Sequence, residues 1–342
     1  MFRHTPFVAL LILALVAACG APAASPSPAV SDTPTASLPW STASPSPSPT
    51  ATPTPSSTSS PTLTPATPSP TIAPPTPSPT PTTMVVRAYF LLRDGSGGEV
   101  VNEPTLVPVL RTVPKSTATA TAAMKALLAG PSAKERAAEL PIGTFIPAGS
   151  KLLGIEISGD LATVDLSAEF ASLSPDDAWD LGVYSLRGRL AQVVYTLTQF
   201  TRVDRVNFKI AGKPVTVFMS EEIVLNKPVT RATYRDRYLP PIFVDRPAWG
   251  AALLTPGRVT GLANVFEAQF RIALLDRNDK VLIDVPVMAT CGTGCWGSFD
   301  VTLSYDVSSA QWGTLRVWDV SEYSGRPVAV REYPVHLRPA PR

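Results

Sequence analysis

Between Gly20 and Thr83 the chain runs for 64 residues almost entirely in Pro, Ser, Thr and Ala, with Asp32 its only charged residue. A segment so poor in bulky apolar side chains cannot bury enough surface to offset the entropy of ordering its backbone, and disorder is expected for it. Repeats such as SPSPSPT and TPSPTPTT set proline at alternate positions. That bias toward polyproline II gives about 3.1 Å per residue and a reach of at most about 200 Å. Two readings fit this composition: a passive spacer, or a semi-rigid stalk that carries O-linked sugars. Any sizeable core must lie after Thr83.

Ahead of this segment, Arg3 and His4 form a short polar start, Phe7 to Ala18 an apolar stretch, and Val16-Ala17-Ala18 a run of small residues before Cys19. The stretch is well short of the roughly 20 residues that span a bilayer. The pattern resembles the lipobox of bacterial lipoproteins. That resemblance implies a diacylglyceryl group on Cys19, cleavage before it, and attachment to a membrane through lipid alone. Residues 1–18 are then a signal peptide, 19–83 a lipid-anchored disordered linker, and the folded part is extracytoplasmic. Without Arg3 the 29 Lys plus Arg fall to 28 against 27 Asp plus Glu, a formal charge of +1. With no long basic run, nucleic acid is not an expected partner.

At Met84 the composition turns to mixed apolar and charged residues. Roughly 255 residues follow, more than one core usually serves, so two domains are expected over 84–225 and 240–338. A linker over 226–239 fits the stretch from Asn226 to Pro241, which has no clean period. In the first domain, Val85 to Leu92 and Leu106 to Val113 read as strands, and Ala118 to Ala129 as a helix ended by Gly130-Pro131. Lys151 to Ile157 and Leu161 to Asp165 flank a short turn. Ser174-Pro175-Asp176-Asp177 reads as a helix start. Trp179, Val183, Leu186, Leu190, Val193, Leu197 and Phe200 then form one apolar stripe at helical spacing. Val203 to Ile210 and Val215 to Phe218 close a hairpin. A long helix over a small sheet is an α+β layer.

The strings LLAGP, IPAGSKLLGIEISGDLATVDLSAEF and RLAQVVYTLTQFTRVDRVNFKIAGKPV resemble the GerMN domain of bacterial sporulation and germination proteins. The likeness implies an interaction module, similar in fold to ring-building domains and without known catalytic residues. The domain also occurs in lipoproteins of bacteria that make no spores.

The second domain reads as all strand: Ile242 to Asp245, Val259 to Gly261, Val265 to Asp276, Val281 to Ala289, Ser298 to Tyr305, Thr314 to Val320 and Val328 to Leu337. This spacing suggests an antiparallel sandwich. The segments RPAWGAALLTPGRVTGLANVFEAQFRIALLD, ATCGTGCWGSFDVTLSY and GTLRVWDVSEYSG resemble the immunoglobulin-like domain of bacterial spore germination, which commonly follows GerMN.

Few residues offer chemistry. Cys291-Gly-Thr-Gly-Cys295 and His336 cannot by themselves supply a closed Cys/His zinc site, which needs four ligands. Outside the cytoplasm a Cys291–Cys295 disulfide is expected, worth about 2 kcal/mol for so short a loop. Free thiols and a redox or metal role are the alternatives. In Tyr333-Pro-Val-His-Leu337, strand alternation turns His336 away from the apolar face. Asp165 and Glu169 could pair as in a glycosidase, but a strand end and a turn account for them. Asp276-Arg-Asn-Asp279 lacks the glycine and distal glutamate of a calcium loop and reads as a hairpin turn. Trp249, Trp296, Trp312 and Trp318 suit either a sandwich core or a carbohydrate platform.

The expected protein is non-catalytic, needs no cofactor or metal, and serves as an interaction or assembly scaffold for a cell-envelope protein partner or for a second copy of itself. A cell-wall glycan binder is the alternative. The polar side of the long helix, carrying Arg187 and Gln192, or the neighbouring sheet edge is the expected partner surface.

Overall fold

The computed structural model describes residues 82–93, 103–173 and 182–340. Cys19, the proline-rich linker up to residue 81, the Ser174–Asp177 helix start and Trp179 lie outside the described residues. All described residues belong to one compact unit within 75–342.

The first domain comprises β1 (Thr83–Leu92), β2 (Thr105–Pro114), α1 (Thr119–Leu128), α2 (Ala133–Ala137), β3 (Ile142–Gly143), β4 (Leu152–Ser158), β5 (Leu161–Leu166), α3 (Val183–Leu197), β6 (Arg205–Ile210), β7 (Lys213–Pro214), β8 (Val217–Phe218) and β9 (Ser220–Val224). Its sheet is in pieces: β2-β1-β3, β4-β5-β6-β7 and the β8-β9 hairpin. Strand β5 runs parallel to β6, with α3 as the crossover between them, as a parallel pair requires.

Helix α3 is enclosed almost all round. Leu190, Val193, Val194 and Leu197 are fully buried, as the apolar stripe requires, but so are Gln192 and Thr196. The reason lies in β1, whose edge runs beside the helix. Gln192 Nε2 donates to the Tyr89 carbonyl at 3.1 Å, and the Tyr89 N–H donates to Thr196 Oγ1 at 3.0 Å. One turn on, Gln199 Nε2 donates to the Arg87 carbonyl at 2.8 Å and its oxygen accepts the Arg87 N–H at 3.3 Å. Residues spaced four and three apart on one helical face thus stand in for a missing neighbouring strand.

Residues 226–239, expected as a linker, carry α4 (Arg231–Tyr238), whose Tyr234 and Tyr238 are buried. The Tyr238 hydroxyl donates to the Tyr184 carbonyl at 2.6 Å, and the two rings lie 4.7 Å apart.

The second domain is a two-sheet sandwich of β10 (Ile242–Arg246), β11 (Ala252–Leu253), β12 (Gly257–Ala263), β13 (Gln269–Leu275), β14 (Val281–Met288), β15 (Gly297–Leu303), β16 (Gln311–Val320) and β17 (Pro327–Leu337). One sheet has the order β10-β12-β15, the other β11-β17-β16-β13-β14. Alternate residues point inward: Phe270, Ile272 and Leu274 from β13, Leu315 and Val317 from β16, and Tyr333, Val335 and Leu337 from β17. Phe270 meets Phe299 of the opposite sheet at 4.9 Å between rings. Gly261 is required there, because a Cβ would lie 1.9 Å from the Phe243 carbonyl oxygen. Buried residues of both domains form one continuous apolar cluster.

Candidate functional site

The most elaborate polar arrangement among the described residues lies at the seam between the domains. Strand β1 presents Arg87 and Tyr89, the end of α3 presents Tyr195 and Thr198, α4 presents Arg231, and β10 presents Asp245. Arg87 Nη1 donates to Asp245 Oδ2 at 2.7 Å, and the Tyr89 hydroxyl donates to Asp245 Oδ1. Arg231 donates through Nη2 to the Tyr89 hydroxyl at 3.2 Å and through Nε to Thr198 Oγ1 at 2.8 Å. Its guanidinium lies over the Tyr195 ring at 4.7 Å.

The protonation states follow from these contacts. Burial opposes the charge on Asp245, yet the Arg87 and Arg231 guanidinium groups and the two hydrogen bonds hold its pKa below the usual carboxylate range. Burial pushes the Tyr89 phenol up to about 12, with Asp245 reinforcing the shift and the arginines opposing it. The pair therefore stays carboxylate and phenol through neutral pH. It fastens the domains together.

Further clasps extend the seam. Arg331 of β17 is buried and donates through Nη1 to Thr105 Oγ1 at 2.5 Å and through Nη2 to the Leu106 carbonyl at 3.1 Å. The Trp249 N–H donates to the Pro108 carbonyl at 2.8 Å, beside a one-pair parallel bridge from Trp249 to Val109. Trp296 Nε1 donates to Asp236 Oδ1 at 2.6 Å, and Arg235 lies over its ring. Cys291 and Cys295 are disulfide-bonded. Their loop docks on residues 264–268: the Thr293 N–H donates to the Val265 carbonyl and the Gly294 N–H to Asn264 Oδ1. The VFEA and ATCGTGCWGSF stretches are thus one packed unit that aims Trp296 at α4.

Two clefts flank the seam. One of about 670 Å³ is mostly apolar and lies between β1 and the 246–258 segment. The other, of about 610 Å³, is floored by β10, β12 and β15 and reaches Arg231 and Asp245. The Arg258–Asp300 ion pair joins them, since Arg258 lines the first and Asp300 the second.

The expected site residues divide. Arg187 is exposed and donates to the Glu222 carbonyl at 2.9 Å. Gln192 is fully buried, holding Tyr89 and accepting the Phe145 N–H at 3.0 Å. It therefore cannot contact a partner, because the polar side of α3 faces a strand edge and not solvent. His336 is half-buried against Trp312 at 5.2 Å. Asp165 accepts the Gly212 N–H at 3.0 Å, and Asp276 accepts the N–H groups of Asn278 and Lys280 in a hairpin turn. The four tryptophans divide: Trp249 and Trp296 are partly buried at the seam, while Trp312 is 56% exposed on β16 and Trp318, on the same face of that strand, lies under Arg271 at 5.9 Å. No cluster of three or more His, Cys, Asp or Glu suited to a metal occurs among the described residues. No helix among them is long and apolar enough to cross a membrane. Arg87, Tyr89, Arg231 and Asp245 carry no sequence signal, since 142 to 158 positions separate the two β1 residues from their partners Arg231 and Asp245.

An α+β domain fused along a shared core to an immunoglobulin-like sandwich defines the class of this protein. Residues 87–216 match the family model Germane, described as sporulation and spore germination, and residues 241–326 match Gmad2, the immunoglobulin-like domain of bacterial spore germination. The chain carries a GerMN domain followed by that immunoglobulin-like domain. Among solved structures it is similar to the tandem GerMN domains of the sporulation protein GerM from Bacillus subtilis, at 18% identity over 60% of this chain and 59% of that one, with a TM-score of 0.34. The chain thus spans 59% of the length of that tandem structure. The first GerMN domain of the same protein matches at 19% identity over 44% of this chain and 98% of that one, TM-score 0.32. CopC from Methylosinus trichosporium OB3b matches at 18% identity over 30% of this chain and 97% of that one, TM-score 0.20. No curated protein matches.

Proposed function

We propose that this chain is a lipid-anchored, extracytoplasmic interaction module of the sporulation and germination type, held to a membrane through Cys19 and lifted from it by the proline-rich segment. The observation that carries this reading is the seam. A partly buried ion network and a shared core join two domains of spore-germination type within one compact unit, which suits a surface that must present both domains to a partner together. The partner is a cell-envelope protein or a second copy of the chain, and the role is scaffolding without catalysis.

Metabolic labelling with a fatty-acid analogue tests the anchor: the parent should be marked and Cys19→Ser should accumulate as unlabelled precursor. Crosslinking from native membranes tests the role, with one defined envelope protein or a self-adduct as the expected product. A glycan-binding reading is favoured by one observation, the exposed Trp312 ring set beside His336. Retention on purified peptidoglycan that Trp312→Ala abolishes would support it over the scaffold.

A further inference from the structure

The larger cleft contains an unfinished sheet edge. Side chains of α3 and its C-terminal turn satisfy the outer backbone groups of Tyr89 and Arg87, but Gln199 is the last of them. By the two-residue alternation of an antiparallel strand, Val85 directs its N–H and C=O to the same side as Arg87, away from β2. No described residue meets those groups, and Val85 is 60% exposed. The edge opens onto apolar walls from Phe200, Pro247, Leu253 and Leu254, with Arg246 and Arg258 also lining the cleft. Leu254 is 63% exposed, and Arg246 has no ion pair among the described residues.

An open strand edge beside apolar pockets is the geometry by which sheets recruit an extended segment of another chain. The charge at Arg246 calls for an acid in that segment. The chain's own proline-rich stretch fits poorly, since its only acid, Asp32, lies in a proline-free run of five residues, Ala29 to Thr33, closed on both sides by proline. We propose that the β1 edge at Val85 accepts an extended, proline-free peptide segment of a partner protein, with an acidic side chain facing Arg246. This rests on the reading of the chain as an interaction module and specifies what the partner presents.

The test pans random seven-residue peptides, displayed on phage, against the immobilised full chain. Enriched peptides should lack central proline and carry Asp or Glu. Arg246→Glu should weaken them about tenfold, and replacing the peptide acid by Lys should restore binding to that variant. Amide exchange over residues 83–87 should slow when the peptide is bound. Val85→Pro, which deletes the edge N–H, should abolish binding; if that variant misfolds by circular dichroism, the charge exchange at the exposed Arg246 and the amide protection decide. Absence of enrichment, or enriched peptides that bind Arg246→Glu as well as the parent, would overturn the site. Membrane crosslinking separates the two levels: a partner still captured by Arg246→Glu leaves the interaction reading standing without this edge, whereas no partner from the parent removes both.

Discussion

Asp245 concentrates the energetics of the seam in one side chain, because it is the carboxylate that offsets Arg87 and Arg231 together. Asp245→Asn should cost about 3 kcal/mol, at the low end for breaking a buried pair since its side chain keeps 22% exposure. Folding lowers its pKa, so its contribution is present above the unfolded-state value near 4 and fades as pH falls through the folded one. Tyr89 works the other way: its contribution is complete below the unfolded-state value near 10 and is lost as pH climbs toward about 12. Denaturant melts from pH 2 to 7 should therefore show the gap between parent and Asp245→Asn closing below about pH 4. A gap as wide at pH 2.5 as at pH 7 would mean that Asp245 is not the ionised clasp. Gln192→Ala should cost about 1 to 3 kcal/mol by stranding the Tyr89 carbonyl and the Phe145 N–H. It should leave partner capture unchanged, and a variant as stable as the parent would refute the edge-capping role.

At the scale of elements, α3 supplies a paired test of its enclosure. Leu190→Ala removes a fully buried side chain and should cost about 2 to 5 kcal/mol. Gly188→Ala favours a helix by about 1 kcal/mol in isolation. Here, however, the new Cβ would lie 2.5 Å from the Phe145 ring and 2.9 Å from that of Tyr238. Overpacking of this kind costs about 1 to 3 kcal/mol, so the net effect should be destabilising, and a raised denaturation midpoint for Gly188→Ala would show that the helix face is looser. Elements with a clean period were readable beforehand: β1, β2, α1 and the long strands of the sandwich occur where alternation or a helix stop placed them. Helix α4 was not, because only Tyr234 and Tyr238 mark its inner face within a run of arginines. The polar side of α3 was visible as polar, but the step from polar to exposed failed at Gln192, where the acceptor it serves belongs to a strand about a hundred residues away and the donor is the Phe145 N–H, 47 positions away. The candidate site was the least legible part. Its ion network joins residues with no local spacing, and the open edge at Val85 exists only because α3 and its last turn stop at Gln199.

For the whole molecule, the shared core and the buried seam predict one unfolding event for residues 84–338 instead of two. Calorimetry should give a single transition whose calorimetric and van't Hoff enthalpies agree, and two resolved peaks would mean that the domains are only loosely joined. Asp245→Asn should lower that transition without splitting it, as the apolar contact between Tyr195 and Phe243 at 6.3 Å remains. The way the chain enters this body also matters. Strand β1 begins at Thr83 and is registered residue by residue with β2 from Thr83↔Pro114 to Leu92↔Thr105. A pull through Thr82 in line with β1 would load that whole ladder in shear at once, whereas a pull across it would open the ladder pair by pair from Thr83↔Pro114. The angle of the tension at Thr82 therefore decides how much force the body withstands at that end.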